Sequence, residues 1–97
     1  MMTQGLVLLS IQDALVGEVF PSLRAVDVSW DESRVDVLFF VSSKLNDDEE
    51  EAISSIEAEM SAHLNSKVEV HSEVNVVSSD SPLPQRRGKV CVFARKQ

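Results

Sequence analysis

The sequence has 97 residues, which is enough for one domain with its own core and too few for two. Sixteen acidic residues against nine basic residues give a net charge of −7, which argues against binding to nucleic acid or to an anionic membrane surface. No apolar stretch is long enough to span a bilayer, and no basic segment typical of a signal peptide precedes the first one, residues 6–9. We therefore expect a single domain over residues 1–97 that works in the cytoplasm.

The charge is unevenly distributed along the chain. Residues 86–97 contain five basic residues and no acidic one, whereas residues 1–85 contain four basic and sixteen acidic residues, a balance of −12. The sequence thus predicts a strongly acidic body with a basic C-terminal end.

The first predicted element is a helix over residues 3–16. Its apolar face has helical spacing at Leu8, Ile11 and Leu15. Three further apolar residues widen this face and predict a well-buried helix: Leu6, Leu9 and Val16. Gly17 is a natural left-handed stop after the last turn.

Two strands follow, over residues 23–30 and 34–41. Apolar and polar side chains alternate in both, which is typical of half-buried strands. The short polar segment 31–33 between them predicts an antiparallel hairpin with Trp30 at its tip.

A second helix is predicted over residues 47–64. Asn46 is a good N-cap, and Glu49 three residues later completes a capping-box pattern. One side of this helix carries an apolar stripe made of Ile53, Ile56, Met60 and Leu64.

Residues 68–78 and 89–95 are predicted strands, joined by a loop at 79–88 that contains two prolines and a glycine. The resulting order, α-β-β-α-β-β, predicts an α+β two-layer sandwich: a four-stranded antiparallel sheet with both helices on one face. The inward strand positions would be Val26, Val28, Val35, Val37, Phe39, Val68, Val70, Val74 and Val76.

No catalytic, cofactor or metal motif is visible. The three glycines are too scattered for a phosphate-binding loop, and no histidine or cysteine pair has zinc-ligand spacing. His63, His71 and Cys91 lack an orienting partner nearby in the sequence, and we interpret them as structural or surface residues. The sequence therefore predicts a protein that is not an enzyme and needs no cofactor.

The acidic residues are the outstanding candidates for function. They lie at the start of the second helix and at the tip of the hairpin, and the candidate partner-binding residues are Asp31, Glu32, Asp47, Asp48, Glu50, Glu51 and Glu57. One interpretation is a solvated helix start whose charges serve the helix dipole and solubility. The other is a docking surface for a basic protein, because such surfaces accelerate encounter.

A resemblance favours the second interpretation. The segment Ala14–Val26 reads A-L-V-G-E-V-F-P-S-L-R-A-V and resembles the pattern A-L-L-G-E-[VI]-x-P-N-L-R-A-V of a group of small bacterial proteins. The hairpin tip Trp30-Asp31-Glu32, the acidic run 47–51 and the final segment 92–96 match in the same order. Ser22 departs from the pattern, as do Cys91 and Phe93, which stand near an expected aromatic residue. The group resembles the immunity proteins of bacterial toxin systems, including the contact-dependent inhibition and colicin-type immunity proteins.

The resemblance implies a binding protein that neutralises a cognate toxin domain, with a basic nuclease as the favoured toxin. An acidic inhibitor suits such a target, because a nuclease presents a basic surface to its substrate. Two alternatives remain open: a small non-catalytic regulatory domain, and a scaffold domain that associates with itself along an exposed sheet edge.

Overall fold

The computed structural model describes residues 4–64, 67–84 and 88–94. It contains two helices and four strands: α1 (Gln4–Leu15), β1 (Leu23–Trp30), β2 (Arg34–Val41), α2 (Asp47–His63), β3 (Glu69–Val76) and β4 (Val90–Ala94). The strands form one sheet in the order β3-β2-β1-β4. Part of the predicted 79–88 loop and most of the basic C-terminal end, namely Arg86, Arg87, Arg95 and Lys96, lie outside the described residues.

The predicted β1–β2 hairpin is confirmed. The two strands pair antiparallel, with Val26 opposite Phe39 and Val28 opposite Val37. All four side chains are buried on the face of the sheet that packs against the helices. Alternation along each strand therefore identified the inward face of the two central strands correctly.

The expectation of a fully antiparallel sheet is wrong, because β2 and β3 pair in parallel from Arg34–Glu69 to Val41–Val76. The reason is the helix between them. The 17 residues of α2 rise about 1.5 Å each, which returns the chain over roughly the length of an eight-residue strand. β3 therefore starts beside the start of β2, as a helical crossover requires.

The last two strands are not a hairpin but the two edges of the sheet. Among the described strands, β3 borders β2 alone, while β4 pairs antiparallel with β1 at the opposite edge, with an irregularity between Val26 and Asp27. The chain between β3 and β4 must therefore pass from one edge to the other.

The start of this connection is held by Arg24, which lies at the irregularity between Leu23 and Ala25 and is 4% exposed. Its guanidinium donates to the carbonyl oxygens of Val77 (3.2 Å) and Ser78 (3.0 Å), directly after β3. The arginine of the Leu-Arg-Ala-Val segment thus fixes the fold at the point where the chain leaves the sheet.

Helix α1 packs through a face close to the predicted one. Ile11 and Leu15 are buried as predicted, Val7 and Ala14 are buried beside them, and Leu8 is only partly buried at the margin. The predicted widening of this face is wrong, because its three residues are exposed: Leu6, Leu9 and Val16. Gly17 follows at a φ of 78°, the left-handed conformation predicted for it.

Helix α2 begins and packs as predicted. The side chain of Asn46 accepts from the backbone of Glu49, and the Glu49 carboxylate accepts from the backbone of Asn46, which forms the capping box. Ile53, Ile56 and Met60 are buried in the same core as α1 and the inward strand residues. The helices and the sheet are therefore joined by one hydrophobic core.

Candidate functional site

The first turns of α2 present an exposed group of carboxylates. Glu49 is held in place, because its Oε1 accepts from the Asn46 amide (3.0 Å) and its Oε2 accepts from the Ser22 hydroxyl (2.7 Å). The four acids around it are exposed, and none of their side chains bonds to another described residue: Asp47, Asp48, Glu50 and Glu51. We call these four residues the α2 acidic cluster. Their charge is available to a partner.

Glu57 differs from the other acids of α2. It is half-buried, and its Oε2 accepts a 2.6 Å hydrogen bond from the hydroxyl of Ser72 on β3. Ser72 is the polar residue that interrupted the inward apolar pattern of this strand. The pair therefore ties α2 to the edge of the sheet, which makes Glu57 less available than the α2 acidic cluster.

The hairpin tip carries Asp31 and Glu32, both exposed. Oδ1 of Asp31 accepts from the backbone amides of Ser33 (2.8 Å) and Arg34 (2.9 Å), which closes the turn. These bonds, the Ser33 amide first, hold the pKa of the Asp31 carboxyl below its ordinary range because they favour the charged form. Asp31 therefore shapes the turn that presents Glu32.

This lowered pKa predicts a pH-dependent contribution of Asp31 to stability. The contribution is complete above the unfolded pKa of about 3.9 and is lost as the pH falls through the lower folded-state pKa. We expect the stability difference between the wild type and Asp31→Asn, measured by urea unfolding, to shrink as the pH is lowered from about 5 to about 2.5. Ser33→Ala keeps the backbone amides and should retain most of this pH dependence. A difference that stays constant with pH would contradict the assignment.

The structure does not bring the two acidic groups together. The hairpin tip lies before the start of β2, and the α2 acidic cluster follows its end. The eight residues of β2 separate them by about 23 Å at the usual rise of a strand. Of the predicted partner-binding residues, Asp47, Asp48, Glu50 and Glu51 thus form one surface, and Asp31 and Glu32 lie at the other end of the molecule.

An apolar groove lies beside the α2 acidic cluster, where the sequence predicted closed core. We call it the β3 groove; it has a volume of about 320 Å³ and is lined by Lys44, Leu45, Glu50, Ile53, Val74 and Val76. Val74 and Val76 are 38% and 58% exposed, so their predicted burial is wrong. Their alternation gave the correct face, but α2 does not extend over the outer side of the edge strand. The sequence signal at this place was the apolar alternation along β3. Alternation does not show which part of the chain packs over these side chains, so it could not reveal the groove.

A second, polar groove of about 290 Å³ lies on the helix-free face of the sheet. Arg34 pairs there with Asp36 at 2.8 Å, and Nε2 of His71 lies 3.0 Å from Oε2 of Glu69. The exposed Arg34–Asp36 pair adds little to stability. Because Arg34 and Lys89 both line this groove, it is less strongly acidic than the α2 acidic cluster.

The sheet order separates His71 from Cys91. His71 lies on β3 and Cys91 on β4, with β2 and β1 between them, so about 14 Å divides their strands. The two side chains therefore cannot form a nucleophile–base pair. Within the described ranges, no three His, Cys, Asp or Glu side chains gather in a way that could hold a metal ion. None of the helices in the described part of the chain is long and apolar enough to cross a membrane.

The structure defines a small α+β domain with an acidic helix start beside an apolar groove at a sheet edge. Comparison with protein families matches residues 4–97 to the MafI2 immunity protein family, and the chain belongs to that family. The resemblance to small bacterial immunity proteins is thereby confirmed. A search of curated proteins finds no match.

Proposed function

We propose that this chain neutralises a toxin protein by binding it through the α2 acidic cluster, and that it does so in the cytoplasm without catalysis of its own. The observation that carries the proposal is the group of four exposed carboxylates, free of bonds to other described side chains, in a chain of the MafI2 immunity protein family. The capping box and the Ser22 bond fix the helix start. The cluster is thus held on a rigid element, which limits the entropy lost on binding.

The charge of the cluster suits a basic partner, and a nuclease is the class of toxin that it fits best. An enzyme that cuts nucleic acid needs a basic surface for its substrate, so an acidic protein can cover that surface and exclude the substrate. The length of β2, about 23 Å, separates Glu32 at the hairpin tip from the cluster, whereas a standard interface of about 800 Å² per partner has a radius of about 16 Å. We therefore place the cluster at the centre of the contact and the hairpin tip outside it.

The test takes as the candidate toxin domain the product of the gene immediately upstream of the gene for this chain. Co-expression with the wild-type chain should restore growth of cells that produce this domain, and the two purified proteins should form a complex. If they neither bind nor restore growth, the proposed function is wrong.

The contribution of the acidic cluster is tested by neutralising it. The test variant is Asp47→Asn, Asp48→Asn, Glu50→Gln and Glu51→Gln. Its association rate with the toxin domain should fall about tenfold at low salt, because electrostatic steering raises on-rates by 10-fold or more. Its melting temperature should fall only modestly, because the capping residues Asn46 and Glu49 are kept while the interaction of the other first-turn acids with the helix dipole is lost.

A matched control removes the same number of charges elsewhere: Asp13→Asn, Glu18→Gln, Glu32→Gln and Glu59→Gln. Stopped-flow rates should fall less for the control than for the test variant. The difference in association rate between the wild type and the test variant should also shrink as salt is raised to about 1 M, where the Debye length is about 3 Å. Rates that do not depend on salt, or that fall equally in both variants, would show that the cluster is not the docking surface.

A further inference from the structure

The outer edge of β3 has the features of a strand that accepts another strand. β3 borders only β2 in the described sheet. It pairs with β2 over eight consecutive residues without a bulge, and residues 69–76 contain no proline and no lysine. Proline, bulges and charged side chains are devices with which proteins protect a free edge from pairing, and β3 carries charged side chains in Glu69 and Glu73. Because these charges are acidic, the edge disfavours an acidic strand and stays open to a basic one.

The positions of the open backbone groups follow from two hydrogen bonds. The amide of Glu69 donates to the Ser33 carbonyl (2.9 Å), and the amide of Val77 donates to the Val41 carbonyl (2.7 Å). Because backbone groups of a strand alternate in direction, the odd-numbered residues between them also face β2. The amides and carbonyls that face outward therefore belong to the even-numbered residues Val70, Ser72, Val74 and Val76.

The β3 groove continues this edge on the helix side. Val74 and Val76 have outward-facing backbone groups and exposed side chains that line the groove with Leu45 and Ile53. A strand added at the edge would direct alternate side chains into the groove, where apolar groups would be removed from water. Backbone pairing and apolar contact are thus offered at the same place.

The charges beside the edge define the incoming strand. Glu69 and Glu73 stand exposed on the helix-free face of β3, and Glu50 and Glu57 border it on the helix side. These four acids outnumber the two nearby lysines, Lys44 at the groove and Lys67 just before the strand. A second copy of this chain would bring the same glutamates of two strands close together, which destabilises pairing. A strand with apolar residues on one face and Lys or Arg on the other fits the edge, because its apolar face would meet the β3 groove and its basic face would meet Glu69 and Glu73.

From this geometry we infer that the toxin protein adds a β-strand of this amphipathic, basic kind to the free edge of β3, extending the four-stranded sheet to five. The inference rests on the proposed function and names the structural element that the partner contributes. The α2 acidic cluster steers the encounter, and the edge of β3 supplies a directed contact that holds the complex.

The test is amide hydrogen exchange, followed by NMR, on the wild-type chain with and without the toxin domain encoded by the upstream gene. The amides of Val70, Ser72, Val74 and Val76 should gain about tenfold protection or more in the complex. Those of His71, Glu73 and Asn75 should change much less, since they already face β2. This alternation is a signature that a contact made only by side chains would not produce.

A substitution gives an independent readout. Val74→Pro removes an outward-facing amide and should weaken binding about tenfold or more, because an edge strand tolerates proline only where its N–H is not paired. Val74→Thr keeps the amide and the branched shape and should bind more tightly than Val74→Pro. If the proline variant does not fold, the exchange experiment on the wild type still decides.

The outcomes separate the two proposals. Absence of binding overturns the proposed function and this inference with it. Binding without alternating protection along β3 overturns the inference and leaves the proposed function standing. Protection of the even-numbered amides that increases with protein concentration in the absence of toxin would show that a second copy occupies the edge, which also overturns it.

Discussion

Val37→Asp is expected to unfold the domain. Val37 is 2% exposed on β2, between Val28 of β1 and Ser72 of β3, and it faces the helices. An aspartate there must either bury an unpaired charge or be protonated, and the cost is several kcal/mol. A small domain has a total stability of about 5–15 kcal/mol, so most of it would be lost. Circular dichroism against temperature and urea should show no native-like cooperative transition.

Val76→Asp is the matched control for this substitution. Val76 has the same inward alternation as Val37 and also lies in a strand, but it is 58% exposed because it lines the β3 groove. Its carboxylate would remain in water, and we expect the melting temperature to change little. Equal loss of stability in both variants would mean that the β3 groove is closed in solution.

Arg24→Met is the second substitution with a large expected effect. The guanidinium is almost completely buried and donates to the carbonyl oxygens of Val77 and Ser78. Methionine retains much of the apolar stem but leaves these carbonyls without their charged donor. Because each hydrogen bond to a charged group contributes about 1.5–3 kcal/mol, we expect a loss of about 3 kcal/mol or more in the free energy of unfolding.

The loss should be accompanied by faster amide exchange in residues 77–81, which the arginine holds against the sheet. Arg34→Met is the control, because Arg34 is exposed and its pair with Asp36 lies in water; such a pair contributes little to stability. A fully stable Arg24→Met variant with unchanged exchange would show that the arginine does not anchor the connection after β3.

Local signals in the sequence were sufficient for most of the elements. Asn46 and Glu49 identify the start of α2, because a capping box depends on two residues three positions apart. Gly17 ends α1 for an equally local reason, its tolerance of positive φ. The alternation of β1 and β2 likewise fixed their inward faces, since a strand has a period of two residues.

The candidate site was only partly predictable. Asp48 and Glu51 are identified as exposed by their spacing from the apolar stripe of α2, which is a local property. The distance between this cluster and the hairpin tip could not be predicted from local patterns, because it depends on which end of β2 each group adjoins. The same applies to Glu57, whose bond to Ser72 joins two elements that the sequence pattern treats separately.

The sequence by itself determined the elements, the acidic character of the chain and its resemblance to immunity proteins. Only the tertiary structure decided that β3 pairs in parallel with β2, because that pairing depends on the path of α2 over the sheet and not on any residue within β3. The same packing left Val74 and Val76 exposed in the β3 groove, although their alternation matches that of buried Val35 and Val37. Periodicity states which way a side chain points, whereas burial depends on what another part of the chain places over it.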